Sequence, residues 1–279
     1  MKATKVDTKT QVTSSKIQLN DQNYYDKSTD SDFQSATWFK KFLTCEAAAK
    51  AELIGSWEPP QDNVALLLGN YVHSYFESEQ AHADFITANH DAMIKKDGTL
   101  LAKYSLANDM IATLESDQSF ISLYQGEKEA IVTGEIFGIE WKGKIDCLNL
   151  ERGYFIDLKT TADLHKKYWS VENHAWQSFA DKYNYQLQMW VYQKLIQQTY
   201  GVLCTPYIIA VDKHRVPDKA IISIPDYRMQ EARDLIRTTQ KNIEAVRNGN
   251  QEPSRCEICD YCRSTKKLNT IISMDDLIQ

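Results

Sequence analysis

The 279-residue sequence has few of the features that mark several classes of protein. Its ten glycines and six prolines are too few for long flexible linkers or a collagen-like repeat. It has no run of about 18 apolar residues, which argues against a transmembrane helix, and we expect no membrane contact. The chain stays polar to about Asn23 and lacks the apolar stretch of a secretory signal. We therefore expect a cytoplasmic protein.

The sequence also lacks a surplus of positive charge. It has 32 lysines and arginines against 38 acidic residues, a formal net charge of −6. Proteins that coat nucleic acid non-specifically depend on excess basic charge, so this class is excluded. An enzyme that acts on nucleic acid through a local basic groove remains compatible with this balance.

A composition of 43% hydrophobic and 25% charged residues is typical of a globular protein with a packed core. Residues 1–30 have few apolar anchors, so we expect a flexible N-terminal arm. We predict one domain over residues 31–265 and a C-terminal tail over 266–279.

The order of predicted elements indicates an α/β fold in which helices flank a mixed β-sheet. Three consecutive β-rich runs suggest a meander, and a helix before the next strand indicates a crossover that lets the fourth strand pair in parallel. The predicted helices are 37–53, 62–79, segments of 80–126, 171–200 and 226–247, and the predicted strands are 129–136, 139–150, 154–160, 205–211 and 219–224.

An acid and a lysine lie two residues apart in the third strand. Asp157 and Lys159 share one face of that strand, and a tight turn would bring Asp146 alongside them. Two carboxylates that face one point repel unless a proton or a hard cation lies between them, and Mg²⁺ prefers such oxygen ligands. The plainer interpretation is a cross-strand salt bridge on a solvated face.

The spacing of these residues favours the metal site. Asp146, ten intervening residues and then Asp157-Leu158-Lys159 resemble the motif of the PD-(D/E)xK nuclease superfamily. The αβββαβ core of that superfamily also matches the predicted element order. Thr160 and Thr161, which follow Lys159, resemble the D-x-K-T-T form found in its recombination exonucleases.

Two helices carry further matches to those exonucleases. Gly69 and His73 resemble the G-x-x-x-H element, in which the glycine permits close packing and the histidine ligates metal. The crossover helix resembles the Q-x-x-x-Y element in either of two registers. Gln188 with Tyr192 fits the letters, whereas Gln186 with Trp190 in the tyrosine position fits the wider pattern, and Gln186 is the residue we assign to the site.

Three of the six cysteines crowd into Cys256-x-x-Cys259-x-x-Cys262, which is expected of a metal site in a chain without a secretion signal. Cys45 would be the fourth ligand. The arrangement resembles the [4Fe–4S] site of AddB-type and CRISPR-adaptation nucleases. We expect an iron–sulfur cluster, with Zn²⁺ second, and three reduced thiols as the plainer alternative. Cys147 and Cys204 are expected to be buried in strands.

The combined pattern covers roughly residues 38–263 and looks most like the phage-encoded exodeoxyribonuclease VIII-like (RecE-like) nucleases. That resemblance implies a Mg²⁺ (or Mn²⁺) site formed by His73, Asp146, Asp157 and the Leu158 carbonyl, with Lys159 orienting the attacking water. It implies hydrolysis of linear duplex DNA ends, 5′→3′, leaving 3′ single strands for recombination. It also implies an annealing protein as partner, a ring-shaped homo-oligomer and a phage or prophage gene acting in the host cytoplasm.

Several assignments remain open at this point. Glu129 is a further candidate acid, and five basic residues near the motif are either phosphate contacts or ordinary solvated charges: Lys142, Lys144, Arg152, Lys166 and Lys167. One alternative function is a repair or CRISPR-adaptation-like nuclease of other polarity. The other is a non-catalytic Fe–S or Zn module that keeps the fold to bind DNA or protein.

Overall fold

A five-stranded mixed sheet with helices on both faces organises the molecule. The computed structural model describes residues 17–60, 63–171, 173–268 and 271–277. The main sheet has the order β1-β2-β3-β6-β7, and β4 and β5 form a separate two-stranded sheet. The strands are β1 (Glu127–Ile136), β2 (Ile139–Asn149), β3 (Tyr154–Thr161), β4 (Tyr168–Ser170), β5 (Ala175–Gln177), β6 (Thr205–Asp212) and β7 (Lys219–Ser223).

The connections between strands agree with the predicted topology. β1, β2 and β3 form an antiparallel meander, β6 pairs in parallel with β3, and β7 is antiparallel to β6. A parallel neighbour needs a crossover connection, and the long helix between β5 and β6 provides it. The predicted mixed α/β fold is therefore confirmed.

Twelve α-helices are described. Eight precede the sheet, two lie in the crossover, and two follow β7. They are α1 (Thr29–Asp32), α2 (Ala36–Thr44), α3 (Glu46–Leu53), α4 (Asn63–Glu77), α5 (Glu79–Ala88), α6 (His90–Met93), α7 (Leu106–Glu115), α8 (Gln118–Leu123), α9 (Phe179–Lys182), α10 (Tyr185–Tyr200), α11 (Asp226–Arg247) and α12 (Asp260–Ser264).

Each face of the sheet has its own apolar core. Residues of α2, α10 and α11 pack on one face, and residues of α4, α7 and α8 pack on the other. Because strand side chains alternate, Phe155 of β3 enters the first core, whereas Ile156 and Leu158 enter the second. Asp157 and Lys159 therefore share the α10 side with Phe155.

The predicted single helix over 171–200 is wrong in its first half. That stretch forms β5 and α9, and α10 begins only at Tyr185. Ser178 caps α9 with its side chain, and Asn184 takes a left-handed conformation with φ of 49°. A left-handed residue cannot continue a right-handed helix, so α9 and α10 are separate elements.

Residues 17–30 do not form the loose arm that we predicted. The ammonium of Lys142 is buried and donates to the Tyr24 carbonyl at 2.8 Å and to Thr29 Oγ1 at 2.7 Å. It also lies 2.7 Å from a carboxylate oxygen of Asp30. The segment is therefore held against β2, and residues 1–16 lie outside the described residues.

The predicted helix over 37–53 is two helices, because Cys45 between α2 and α3 has an extended backbone. Of the predicted tail, the structure describes 266–268 and 271–277, with one 3-10 turn at Met274–Leu277. Among the helices described, none combines the length and the apolar character needed to cross a membrane.

Candidate active site

The candidate site lies where β2 and β3 separate. Their paired register runs from Asn149–Tyr154 to Cys147–Ile156 and ends there. Asp146 and Asp157 are the next residues along the two strands. The backbone N–H of Leu158 donates to Oδ2 of Asp146 at 2.6 Å instead of to a β2 carbonyl. The fork thus places two carboxylates side by side, as the sequence predicts.

Asp157 is almost fully buried and is bound from two sides. Gln188 of α10 donates from Nε2 to its Oδ1 at 2.8 Å, and the Lys159 ammonium lies 2.6 Å from its Oδ2. Although the ammonium is close, Oδ2 is buried and accepts no hydrogen bond of normal geometry. This oxygen therefore retains coordination capacity toward a cation in the cleft.

The pKa values of Asp146 and Lys159 are both shifted by burial and by neighbouring charges. Burial and the charge of Asp157 raise the pKa of Asp146 well above its usual value. Burial acts to lower the pKa of Lys159, but the two carboxylates outweigh it and the pKa is raised. Lys159 is therefore protonated at neutral pH. A second positive charge, in addition to this ammonium, would reduce the repulsion between the carboxylates of Asp146 and Asp157.

His73 reaches the site from α4, on the other side of the sheet. Its Nδ1 lies 3.6 Å from Oδ2 of Asp146, and 29% of its side chain is exposed. Burial, followed by the positive charge of Lys159, lowers the pKa of His73 to about 4. The imidazole is therefore neutral at pH 7, the form that ligates a metal.

Gly69, one turn before His73, brings α4 close to β3. A Cβ at this position would lie 3.2 Å from Oγ1 of Thr160. Such a contact is tight, so a side chain at this position would require Thr160 to shift by a few tenths of an ångström. The close packing that we predicted for this glycine is confirmed.

The assignment of Gln186 to the site is corrected. Its Nε2 donates to Oδ1 of Asn184 at 3.3 Å, on another side of the helix. Gln188 instead faces Asp157, and its Nε2 also lies 3.1 Å from the hydroxyl of Tyr192. The register Gln188/Tyr192 is therefore the one that meets the carboxylates, and any role of Gln188 in catalysis is a prediction.

A polar cleft of about 890 Å³ opens above these residues. Three further acids line it, Asp30, Glu77 and Glu129. Glu129 lies between the pairs Lys128–Cys147 and Ala130–Ile145, and its φ of 53° is left-handed. A carboxylate oxygen of Glu129 lies 3.2 Å from the ammonium of Lys144, a side chain that is only 10% exposed.

The ordered N-terminal segment forms one wall of this cleft through Tyr24, Tyr25 and Asp30, a contribution that the sequence analysis missed. The only signal in the sequence was an aromatic pair in an otherwise polar stretch. Lys142, a predicted phosphate contact, is instead buried beneath this segment.

The other candidate phosphate contacts occupy three places. Lys144 lies in the cleft and pairs with Glu129 and Asp21. Arg152 donates to the Ser122 carbonyl at 2.9 Å, beside α8, and does not line the cleft. The exposed Lys166 and Lys167 precede β4.

Cys45, Cys256, Cys259 and Cys262 come together as predicted. All four sulfurs lie within 4.8 Å of one another, with 3.6 Å between Cys45 and Cys262. Backbone N–H groups of Cys259 and Cys262 donate to the sulfurs three residues earlier, both at 3.4 Å. Burial acts to raise the pKa of Cys256, but backbone hydrogen bonds lower it to about 6. Cys147 and Cys204 are fully buried, as predicted.

A second group of possible metal ligands was not predicted. Carboxylate oxygens of Asp163 and Asp212 and a ring nitrogen of His214 lie within 4.8 Å of one another. Asp212 is buried and accepts from the backbone N–H of Asp218 at 2.9 Å, and His214 Nδ1 lies 3.0 Å from it. These contacts pair the Asp212 carboxylate with groups of the β6–β7 loop and hold that loop in place.

Most of the chain also matches the model of a known family. Residues 35–265 match the model of the PDDEXK-like domain of unknown function (DUF3799). The chain belongs to this family. The match covers the β2–β3 fork, α4, α10 and the four cysteines, so the predicted PD-(D/E)xK fold is confirmed.

Comparison with solved structures agrees with this. The crystal structure of a putative exonuclease from Eubacterium rectale is 33% identical over 94% of this chain and 98% of that chain, with a TM-score of 0.85. A second structure, SSO0001, is 15% identical over 85% of this chain and 96% of that chain, with a TM-score of 0.30. No curated protein matches the chain. Together the family and the first structure support a nuclease fold.

Proposed function

We propose that this member of the PDDEXK-like family is a metal-dependent exodeoxyribonuclease. The observation that carries the proposal is the fork of β2 and β3, where Asp146, Asp157 and Lys159 meet at the base of one cleft. Two carboxylates beside a protonated lysine suit hydrolysis of a phosphodiester, whose transition state concentrates negative charge.

The residues present fit a divalent cation such as Mg²⁺ or Mn²⁺. The donor set is two adjacent carboxylates, a neutral imidazole and the Leu158 backbone carbonyl, and oxygen donors predominate, as Mg²⁺ prefers. Apart from the Lys159 ammonium, no described residue pairs with Oδ2 of Asp157. Burial and then the negative charge of Asp157 raise the pKa of Asp146, and a cation between the two carboxylates would offset that charge. The ion would supply Lewis-acid polarisation of the phosphate and would favour ionisation of water.

The protein side chains have separate roles in this proposal. Lys159 holds a proton and a positive charge beside Asp157, where it orients the attacking water and offsets charge on the phosphate. Gln188 orients the Asp157 carboxylate by a hydrogen bond to Oδ1, so that Oδ2 is the oxygen beside Lys159. His73 is neutral and fills a ligand position next to Asp146.

The finer substrate assignment rests on the resemblance to RecE-like nucleases. We infer that the enzyme degrades linear duplex DNA from its ends, 5′→3′, and leaves 3′ single strands for recombination in a phage or prophage setting. A single-strand annealing protein would receive those strands, and a homo-oligomeric ring would enclose the duplex.

A digestion assay separates these inferences. Linear duplex DNA labelled at the 5′ or the 3′ end, and a closed circle of the same sequence, are incubated with Mg²⁺. The proposal expects early loss of the 5′ label and an intact circle. Cutting of the circle would show an endonuclease, and early loss of the 3′ label would reverse the polarity. No cleavage of any substrate by folded, metal-replete protein would favour the binding-module alternative.

We further propose that the four cysteines hold a structural metal. Around one tetrahedral Zn²⁺ with bonds of about 2.3 Å, four thiolates lie roughly 3.8 Å apart. The sulfur separations of 3.6 and 4.0 Å resemble this spacing and therefore favour Zn²⁺ over the iron–sulfur cluster that the sequence suggested. Anaerobic purification followed by elemental analysis decides the identity: zinc near one equivalent supports the proposal, and four equivalents of iron contradict it.

A further inference from the structure

An aromatic hairpin follows the strand that carries Asp157 and Lys159. It consists of β4 and β5, which form their own two-stranded sheet. On one face the rings of Trp169 and Trp176 lie opposite each other, with centroids 5.4 Å apart at an interplanar angle of 73°. These side chains are 49% and 65% exposed. Indole rings are usually mostly buried, so this pair is a candidate contact surface.

The hairpin is connected to the candidate active site by a series of rings. Tyr168 lies edge-on to Tyr183 at 6.3 Å, and Tyr183 lies 5.8 Å from Tyr185. The ammonium of Lys159 in turn lies 5.1 Å from the centre of the Tyr185 ring. Tyr168 precedes Trp169 in β4, so its side chain faces the protein while the indoles face outward. These contacts fix the indole pair relative to the catalytic lysine.

Exposed positive charge surrounds the same hairpin. Lys166 and Lys167 lie just before β4, and Lys182 lies at the end of α9. Two nearby acids among the described residues have other partners: Asp163 accepts the backbone N–H of His165, and Asp181 caps α9 and pairs with an arginine of α11. In a chain of net charge −6, this is a local basic surface.

We propose that the Trp169–Trp176 face is a base-stacking platform for single-stranded DNA leaving or entering the active site. The inference rests on the proposed nuclease function. Aromatic faces beside lysines are the chemistry that binds single strands, because rings stack on bases while ammonium groups contact phosphates. Inside a duplex the base faces are covered by neighbouring bases, so beyond the terminal base pair the indoles can stack only on unpaired nucleotides. The flanking lysines favour nucleic acid over a protein partner.

Binding of a fluorescent oligothymidylate, followed by anisotropy in EDTA, tests the platform without cleavage. The variant W169V/W176V keeps β-branched apolar residues in both strands and removes the rings. Since base stacking on an aromatic ring contributes roughly 1–3 kcal/mol, we expect affinity to fall at least about fivefold per tryptophan. Binding of a duplex of the same length should change less than about twofold. The matched control is Tyr200→Ala, an exposed tyrosine at the far end of α10, which rises about 22 Å from Tyr185 to Tyr200.

Fluorescence provides a second test that does not depend on the stability of the hairpin. Oligothymidylate should quench the tryptophan fluorescence of the wild-type protein, and W169F/W176F, which keeps an aromatic pair, should lose most of that quenching. Unchanged oligothymidylate affinity in W169V/W176V would overturn the proposal. So would quenching that survives in W169F/W176F, or an equal loss of duplex binding. A changed molecular mass of either variant with unchanged oligothymidylate binding would assign the face to protein contact instead.

The two proposals fail in different ways. Loss of oligothymidylate binding in the tryptophan variants, from a protein that cleaves nothing, would support the platform and contradict the nuclease. Full cleavage activity of the wild-type protein, with unchanged oligothymidylate affinity in the tryptophan variants, would support the nuclease and contradict the platform.

Discussion

Gln188 of α10 donates a hydrogen bond to Asp157 of β3 across 2.8 Å, from the opposite side to Lys159. The orientation of the amide is fixed by its other contacts, since Oε1 accepts from Lys40 at 3.3 Å and Nε2 lies 3.1 Å from the hydroxyl of Tyr192. The crossover helix α10 therefore orients the Asp157 carboxylate of β3. The element that connects β3 to its parallel neighbour β6 thus also contributes a side chain to the candidate active site.

Replacing Gln188 with alanine should lower Mg²⁺-dependent DNA cleavage by about 10- to 100-fold, the usual cost of removing a group that orients a metal-binding carboxylate. The half-saturating Mg²⁺ concentration should rise at the same time, because Asp157 loses its orienting donor. Cleavage rates over a Mg²⁺ titration measure both quantities.

Gln186→Ala is the matched control, since Gln186 lies two residues away and bonds to Asn184. Its cleavage rate should stay within about twofold of the wild type. A larger loss in Gln186→Ala than in Gln188→Ala would contradict the register that the structure indicates.

Lys142→Met should destabilise the protein, because it removes the charge that meets Asp30 and the donor to Tyr24 and Thr29. Breaking a buried ion pair costs about 3–5 kcal/mol, and the free energy of unfolding in urea should fall by roughly this amount. Lys166→Met, at an exposed lysine, should change it by about 0.5 kcal/mol or less. Equal stability of the two variants would mean that the N-terminal segment is not held by Lys142.

Much of the site could be predicted from short-range patterns. Asp157 and Lys159 share a strand face because strand side chains alternate, and Asp146 reaches them because a tight turn joins β2 to β3. The crossover helix, with a β-rich run on either side, predicted the parallel pairing of β6 with β3. Each of these inferences depends on neighbours in sequence or on one chain reversal.

The errors came from tertiary contacts. Residues two apart on a helix point about 200° apart, so choosing between Gln186 and Gln188 requires the rotation of α10 against the sheet. The order of residues 17–30 depends on Lys142, more than a hundred residues later. The hairpin was missed because its strands have three residues each, too short for a period of two to be apparent.

Under the proposal that the four cysteines hold a structural metal, Cys45→Ala should release it, since Cys45 is the member of the group from the N-terminal half of the domain. Elemental analysis of the purified variant should show less than about a tenth of the wild-type metal content, together with a lower melting temperature. Cys204→Ala, which removes a fully buried thiol outside the group, should keep its metal. Full metal content in Cys45→Ala would place the ion elsewhere.

The β6–β7 loop should respond to acid through Asp212. Burial acts to raise the pKa of Asp212, but donors from Asp218 and His214 lower it below the ordinary value. A carboxylate with a depressed pKa contributes stability above about pH 4 and loses it as the pH falls through its folded-state pKa. Asp212→Asn should therefore be less stable than the wild type at pH 7, and this difference in unfolding free energy should shrink below pH 4.

The stability contributed by His214 depends on pH in the opposite direction to that of Asp212, because contact with Asp212 raises the pKa of His214 above 6.5. Its stabilising effect is complete below pH 6.5 and is lost as the pH rises through the raised value. Proton NMR titration of the ring measures the shift directly. A pKa of His214 at or below 6.5 would contradict the ion pair.

The most direct test of the central claim is Mg²⁺-dependent hydrolysis of linear duplex DNA by two matched variants. One changes Asp157 at the β2–β3 fork, and the other changes Asp163 in the second group of possible metal ligands. The wild-type protein and Asp163→Ala, which changes one acid of the Asp163–Asp212–His214 group, should both release nucleotides with Mg²⁺ and none with EDTA. Asp157→Ala, once shown to be folded, should lose at least about a thousandfold in rate. Cleavage by Asp157→Ala at the wild-type rate, or its loss in Asp163→Ala alone, would contradict the site at the β2–β3 fork.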